Sequence, residues 1–213
     1  MKEGKVLDIS TLFAFLGAAM ILTIMPGPDN LFVLAQSITQ DKKAGIATSL
    51  GLCTGLLVHI SAAVLGISAI IYQSTIIFTI VKFAGAAYLL YLAWQSFRAK
   101  GDPFTLQQQN TQAYIKLYKK GILMNILNPK VSLFFLALLP QFVNPSQGHV
   151  AFQMLILGIV FLIQALVLFS LFSIFAGKVR QVIIGKPAIA KRLNTVQGIL
   201  FTFIGIQIAI SKQ

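Results

Sequence analysis

Two stretches of this chain set charge, amide and proline where an apolar run would otherwise continue. In TIMPGPDNLF, Pro26, Gly27 and Pro28 lead into Asp29 and Asn30, and in MNILNPKVSLFF the residues Asn125, Asn128, Pro129 and Lys130 fall in a comparable order. A proline gives no N–H to the carbonyl four residues back, so Pro26 and Pro28 free the carbonyls of Leu22 and Ile24, and Pro129 frees that of Asn125. Freed backbone groups in an apolar medium are tolerated where they line a cavity. An amino acid has groups to match: an ammonium for the freed carbonyls or for Asp29, and a carboxylate for the N–H groups and positive dipole end of a helix starting near Asp29 and Asn30. These nine residues are the expected site for substrate and proton. The competing reading is a plain proline kink, with Asp29 capping the second half-helix.

Asp29 lies roughly nine residues, or about 14 Å, from the nearer end of its apolar run, close to mid-depth of a bilayer. An ionised Asp there costs about 2.5–3.5 kcal/mol, so it is expected to be paired, hydrated or protonated, and suits a coupling proton. Lys130 sits about as deep and is the expected partner of Asp29 in the empty protein. His59 and Lys82 are further candidates for coupling. His59 shares a helical face with Gly51, Gly55 and Ala63 at steps of four, which is also the pattern of a histidine hydrogen-bonded to a neighbouring helix. Lys82 is about seven residues from the outer end of its run, near enough to snorkel to the interface. No metal site is expected, because His59 has no ligand companions.

The elements that must position these residues follow from composition. Of 213 residues 57% are hydrophobic and only 10% charged, far fewer charges than the quarter found in soluble domains. Runs of roughly 20 apolar residues, enough to cross the hydrocarbon core as helix, occur at about 10–38, 45–71, 75–97, 121–143, 150–177 and 193–211. The expected fold is an all-α integral membrane protein with six transmembrane helices, the first and fourth broken at their prolines. The net charge of +12 falls in loops: Lys42 and Lys43 after the first span, Arg98, Lys100, Lys116, Lys119 and Lys120 after the third, and Lys178, Arg180, Lys186, Lys191 and Arg192 after the fifth. Lys2, Lys5 and Lys212 are on the opposite side. That bias puts both termini outside the cytoplasm and calls for no nucleic-acid partner.

Aligning Pro28 on Pro129 places Asp29 on Lys130, and Gly85 with Tyr88 resembles Gly198 with Phe201. A repeat of three spans must insert upside down the second time, which gives two inverted repeats at about 10–97 and 121–211 in a single transporter domain. A polar cytoplasmic loop at about 98–120 is expected to join them. Gly51, Gly55, Gly85 and Gly198 let helices pack closely, while Tyr88, Tyr91 and Trp94 suit an interfacial anchor. A single cysteine, Cys53, excludes an internal disulfide. The chain has no Walker loop, dinucleotide turn or nucleophile elbow, so a cofactor-free, gradient-driven transporter is expected rather than an enzyme.

Four segments carry a resemblance to a known family. MPGPDN (Met25 to Asn30), GIATSLGLCTGLLVH (Gly45 to His59), KFAGAAYLLYLAW (Lys82 to Trp94) and NILNPKVSLFFLALLPQFV (Asn125 to Val143) make the chain similar to the LysE/RhtB family of bacterial amino-acid exporters. The resemblance implies efflux across the bacterial inner membrane, driven by the proton motive force, of amino acids such as lysine, arginine, threonine, homoserine, leucine or cysteine. Its motif positions fall on Pro26, Gly27, Pro28, Asn128, Pro129 and Lys130. With one acidic residue set against two intramembrane lysines, a neutral substrate is expected over a basic one. The expected partners are that substrate, protons, the bilayer and, as one assembly, a second copy in a homodimer. Export of another small metabolite or cation, and a non-transporting membrane scaffold, are the alternatives.

Overall fold

The structure is a computed structural model, and it describes residues 7–25, 27–67, 75–98, 112–178 and 187–210. Pro26, residues 99–111, Arg180, Lys186 and the terminal lysines lie outside the described residues. So do the surroundings of Gly85 and the side chains of Lys82, Tyr88, Pro129 and Lys191.

Every element among the described residues is helical. Helix α1 (Ile9–Ile24) stops ahead of the PGP run, and α2 (Pro28–Thr39) starts with proline at its first position, where the fixed φ suits a helix and the missing N–H costs nothing. Asp41 caps α3 (Lys42–Ala62), accepting from the Ala44 N–H at 2.7 Å, and one π turn (Ala63–Ile67) extends that helix. Helix α4 spans Thr75–Arg98 and α5 spans Tyr114–Ile126. Asn128 caps α6 (Pro129–Leu133), which runs on through a π turn (Phe134–Leu138) and a 3₁₀ turn (Leu139–Phe142). Pro140 accounts for that irregular ending, since it leaves the Leu136 carbonyl without its helical donor. Helices α7 (Val150–Ile174) and α8 (Pro187–Ile210) complete the chain.

Two helices, Lys42–Gly66 and Val150–Ile174, are each long and apolar enough to cross a membrane. Two bent pairs pass the same test as single spans: α1 with α2, bent by 56°, and α5 with α6, bent by 50°. The outer face of α7 agrees with a lipid solvent. Ile159, Ile163, Val167 and Leu171, at steps of four, are all exposed, whereas Leu157, Phe161, Ala165 and Phe169 are buried. Such a long uncovered apolar stripe would be a liability in water.

Two expected boundaries need correction. The loop at 98–120 ends earlier, because α5 begins at Tyr114, and the sixth helix starts at Pro187 rather than near residue 193. The stretch YIKLYKK was too basic to read as span. It is an amphipathic turn: Leu117 is fully buried while Lys116, Lys119 and Lys120 stay exposed.

Small residues set the helix approaches. A Cβ on Gly51 would lie 2.1 Å from the Tyr118 carbonyl oxygen, and one on Gly121 would lie 2.7 Å from that of Thr48, so α3 and α5 cross almost backbone to backbone. The glycine at 121 supplies the second half of this crossing and was not anticipated. On the other pair, Gly198 of α8 faces the Phe97 ring of α4. The centre is filled by Phe15, Phe134, Phe135 and Phe161, with ring centroids 4.8 Å to 5.8 Å apart.

Candidate functional site

The two breaks meet. Gly27, Asp29 and Asn30 from the first and Asn125, Asn128 and Lys130 from the second line one cavity, closed on its apolar side by Leu56, Phe161 and Phe169. The space open to the centre of a water molecule is ≈ 20 Å³, room for about one water. An amino acid needs the walls to part.

All three carbonyls that proline chemistry frees have found donors, each from a side chain. Lys130 Nζ donates to Leu22 O at 2.7 Å and to Met25 O at 3.3 Å. The Asn30 amide reaches back over the break to Thr23 O, Ile24 O and Met25 O at 2.5, 3.2 and 2.9 Å. His59 Nε2 meets Asn125 O at 3.0 Å, a carbonyl that also accepts the Asn128 N–H at 2.9 Å. A carbonyl only accepts, so the Nε2 atom of His59 must carry the proton. These bonds replace the missing ladder, because a buried carbonyl without a donor costs about 1–3 kcal/mol.

Lys130 therefore differs from expectation. Its ammonium sits on the freed carbonyls of the first break rather than on the Asp29 carboxylate. It lies over Gly27, where an added Cβ would come within 3.3 Å of Nζ. Two converging carbonyls beside a residue with no side chain offer the lysine a fitted seat, and the carboxylate has been drawn elsewhere. Asp29 Oδ2 accepts from Asn125 Nδ2 at 2.9 Å, and Oδ1 has no partner.

Nor is Asp29 the cap of its half-helix. That position is Gly27, which supplies no side chain, and Asp29 stands one residue past Pro28. The true side-chain cap is at the second break, where Asn128 Oδ1 accepts from the Lys130 N–H at 3.0 Å. So the two breaks are alike in outline and different in detail.

Gly51, Gly55 and His59 form the ridge of α3 that meets α5. A Cβ on Gly55 would press within 2.8 Å of Asn125 Cβ and 3.0 Å of its Oδ1, so this glycine makes room for the amide that holds Asp29. His59 is buried there and stacks on Phe135 at 6.1 Å between centroids. Lys82 is on α4, none of whose described side chains lines the cavity. Cys53 is buried and free.

Sequence reading missed Thr23 and Gln164. Gln164 of α7 donates from Nε2 to Thr23 Oγ1 at 2.9 Å, and the hydroxyl passes its own hydrogen to Ala19 O at 2.9 Å. A glutamine in the middle of a 25-residue helix whose other polar side chains, Gln153, Ser170 and Ser173, lie towards its ends was the available signal.

Beyond the cavity the two ends of the molecule differ. At the end carrying Lys42 and Lys43, Gln40 and Gln112 exchange two hydrogen bonds of 2.9 Å, and Tyr114 donates to Asp41 Oδ2 at 2.7 Å. These bonds tie the α2–α3 turn to the start of α5. At the opposite end an open crevice of ≈ 380 Å³ separates the start of α1, at Ser10, Thr11 and Ala14, from the end of α6, at Gln141 and Phe142. The rings of Phe15 and Phe142, 5.3 Å apart, lie between the first helix and the sixth below it.

A homoserine/homoserine lactone efflux protein of Salmonella typhimurium is 36% identical over 202 residues, covering 94% of this chain and 96% of that protein. An uncharacterized membrane protein of Bacillus subtilis, YrhP, is 34% identical over 211 residues, with 94% and 99% covered. One from Vibrio cholerae is 31% identical over 207 residues, with 97% and 100% covered. No solved structure matches the chain. The family model described as LysE type translocator matches residues 20–212, and the chain, a multi-pass membrane protein built to move a small solute, belongs to that family.

Proposed function

We propose that this protein exports small neutral amino acids across the bacterial inner membrane in exchange for protons, binding its substrate between the two helix breaks. The observation that carries this reading is the polar junction itself. A lysine ammonium seated on freed carbonyls lies in the same buried cavity as a carboxylate oxygen with no partner. The Salmonella relative's name adds a substrate class. Homoserine and its lactone share an ammonium and an acyl oxygen, so Asp29 Oδ1 is the natural seat for the ammonium. The acyl oxygen would draw Lys130 off the Leu22 and Met25 carbonyls. In the absence of substrate, a proton on Asp29 would serve in place of the ammonium, and the exchange of one for the other is the coupling.

Alternating access is supported by the paired architecture. The two broken spans bend by 56° and 50°, and in an inverted repeat of three spans α3 would correspond to α7 and α4 to α8. Each of these corresponding helices packs on its counterpart. In this reading the end with Lys42 and Lys43 is cytoplasmic and held shut by the Gln40–Gln112 and Asp41–Tyr114 bonds. The crevice between α1 and α6 would open to the outside, and both termini would be periplasmic.

The test is flux in proteoliposomes. Under an imposed pH gradient, at least one labelled neutral amino acid is expected to accumulate well above empty vesicles, and Asp29→Asn should lose gradient-driven accumulation. No gradient-dependent flux for any amino acid would remove the function. Wild-type coupling in Asp29→Asn would remove only the proton role.

The cytoplasmic closure carries its own prediction. Removing its bonds with Gln40→Leu and Tyr114→Phe together should raise the labelling of a cysteine placed in the cavity by a membrane-impermeant thiol reagent added from that side. Several-fold faster labelling is expected, and an unchanged rate would count against the closure. Acid should act in the same direction. Hydrogen bonds from the Ala44 N–H and then the Tyr114 hydroxyl hold the Asp41 carboxyl below its usual range. The stabilisation is present above the ordinary carboxylate pKa and is lost as pH falls through the lowered value.

A further inference from the structure

Among the described residues, three buried side-chain oxygens lack a hydrogen-bond partner: Asp29 Oδ1, Asn125 Oδ1 and Gln164 Oε1. The first is the seat argued above for the ammonium. The second faces the Gly55 backbone of α3, against which Asn125 packs. The third is left over. Gln164 is 8% exposed, and its amide cannot simply turn to find a donor. Thr23 Oγ1 spends its hydrogen on Ala19 O and so must receive the Gln164 NH₂, which aims Oε1 away from Thr23. Gln164 stands just behind the cavity lining, to which its bonded neighbour Thr23 belongs together with Phe161 and Phe169 of the same helix as Gln164.

We infer that Gln164 is a specificity-determining residue, whose Oε1 accepts a hydrogen bond from a donor on the substrate's side chain, such as a hydroxyl, and that Thr23 is the positioning residue that fixes the amide. This rests on the proposed export function and adds the substrate feature that the site reads. A buried acceptor rejects a ligand that leaves it unpaired, because the acceptor loses water and gains nothing. The apolar walls of Leu56, Phe161 and Phe169 can hold a carbon chain of either kind. Only the oxygen distinguishes a hydroxylated chain from a bare one.

The measurement is a flux ratio in proteoliposomes, homoserine against 2-aminobutyrate, which is the same amino acid without its hydroxyl. The wild type is expected to favour homoserine by about tenfold or more, the worth of one buried hydrogen bond. Gln164→Leu should bring the ratio near one, and Gln164→Glu, which keeps an acceptor, should hold it above the leucine variant. Thr23→Val, close in shape but unable to orient the amide, should lower the ratio in part and serves if Gln164→Leu fails to insert. A wild-type ratio near one overturns the inference, as does a ratio that Gln164→Leu and Thr23→Val leave unchanged. Equal losses of both fluxes in those variants, with the ratio preserved, would mean that Gln164 only packs. Absence of flux for both compounds in the wild type, with every other amino acid also unmoved, would instead overturn the export function.

Discussion

Lys130→Met is expected to insert and fold yet carry no flux above empty vesicles. Methionine keeps the length and apolar stem of lysine and removes the three N–H donors. The carbonyls of Leu22 and Met25, now held at 2.7 and 3.3 Å, would lose them. The Met25 carbonyl retains the Asn30 amide at 2.9 Å, so the break should survive and the damage should fall mainly on Leu22, at about 1–3 kcal/mol. What disappears altogether is the positive charge proposed to meet the substrate's acyl oxygen. Lys130→Ala removes the stem as well and is expected to lower the yield of folded protein in addition to abolishing flux. Lys130→Arg retains charge and donors and should keep measurable flux, reduced because a planar guanidinium is wider than the space above Gly27. Circular dichroism in detergent separates folding from flux. A Met variant that transports like the wild type would show that the ammonium is only structural.

Gly51→Ala is expected to have the largest effect on stability. Its new Cβ would lie 2.1 Å from the Tyr118 oxygen, 2.9 Å from its carbonyl carbon and 3.0 Å from its Cα. These are backbone atoms of α5, so no side chain can swing aside. The helices must separate, and overpacking of this kind typically costs about 1–3 kcal/mol or more. At about 2–4 °C per kcal/mol for a chain of this size, the thermal midpoint in detergent should fall by several degrees. Flux should fall with it, because α3 and α5 carry His59 and Asn125, whose contacts fix the second break and Asp29. Gly17→Ala and Gly66→Ala provide the contrast. Neither Cβ would meet anything within 4 Å, so both variants should melt near the wild type. A Gly51→Ala protein that melts with them would mean that the close crossing of α3 and α5 does not hold in the membrane.

Much of the architecture is written in local chemistry. Proline lacks an N–H wherever it stands, so the breaks near Pro28 and Pro129, and the carbonyls they free at Leu22, Ile24 and Asn125, follow from the chain alone. The scarcity of charge and the length of the apolar runs likewise make a membrane protein, because a bilayer imposes those lengths on any helix that crosses it. Steps of four from Gly51 to His59 already mark a face narrow enough for another helix to approach closely.

Which donor meets which acceptor is a different matter, because it depends on residues brought together from 66 to 141 positions apart. From charge alone Lys130 belongs with Asp29. In the folded protein it sits on two carbonyls across the cavity, while Asn125 holds Asp29. Hydrogen-bond geometry at contact distance outweighs charge pairing, and contact distance is set by helix crossing. The same holds for Gly121, whose significance depends on Gly51 lying opposite, and for Gln164, whose free oxygen depends on what the Thr23 hydroxyl does with its hydrogen. The sequence by itself determined that two apolar helical stretches are broken and which groups the breaks expose. Only the tertiary structure decided how those groups are shared out, since each has several partners within chemical reason and packing leaves room for one.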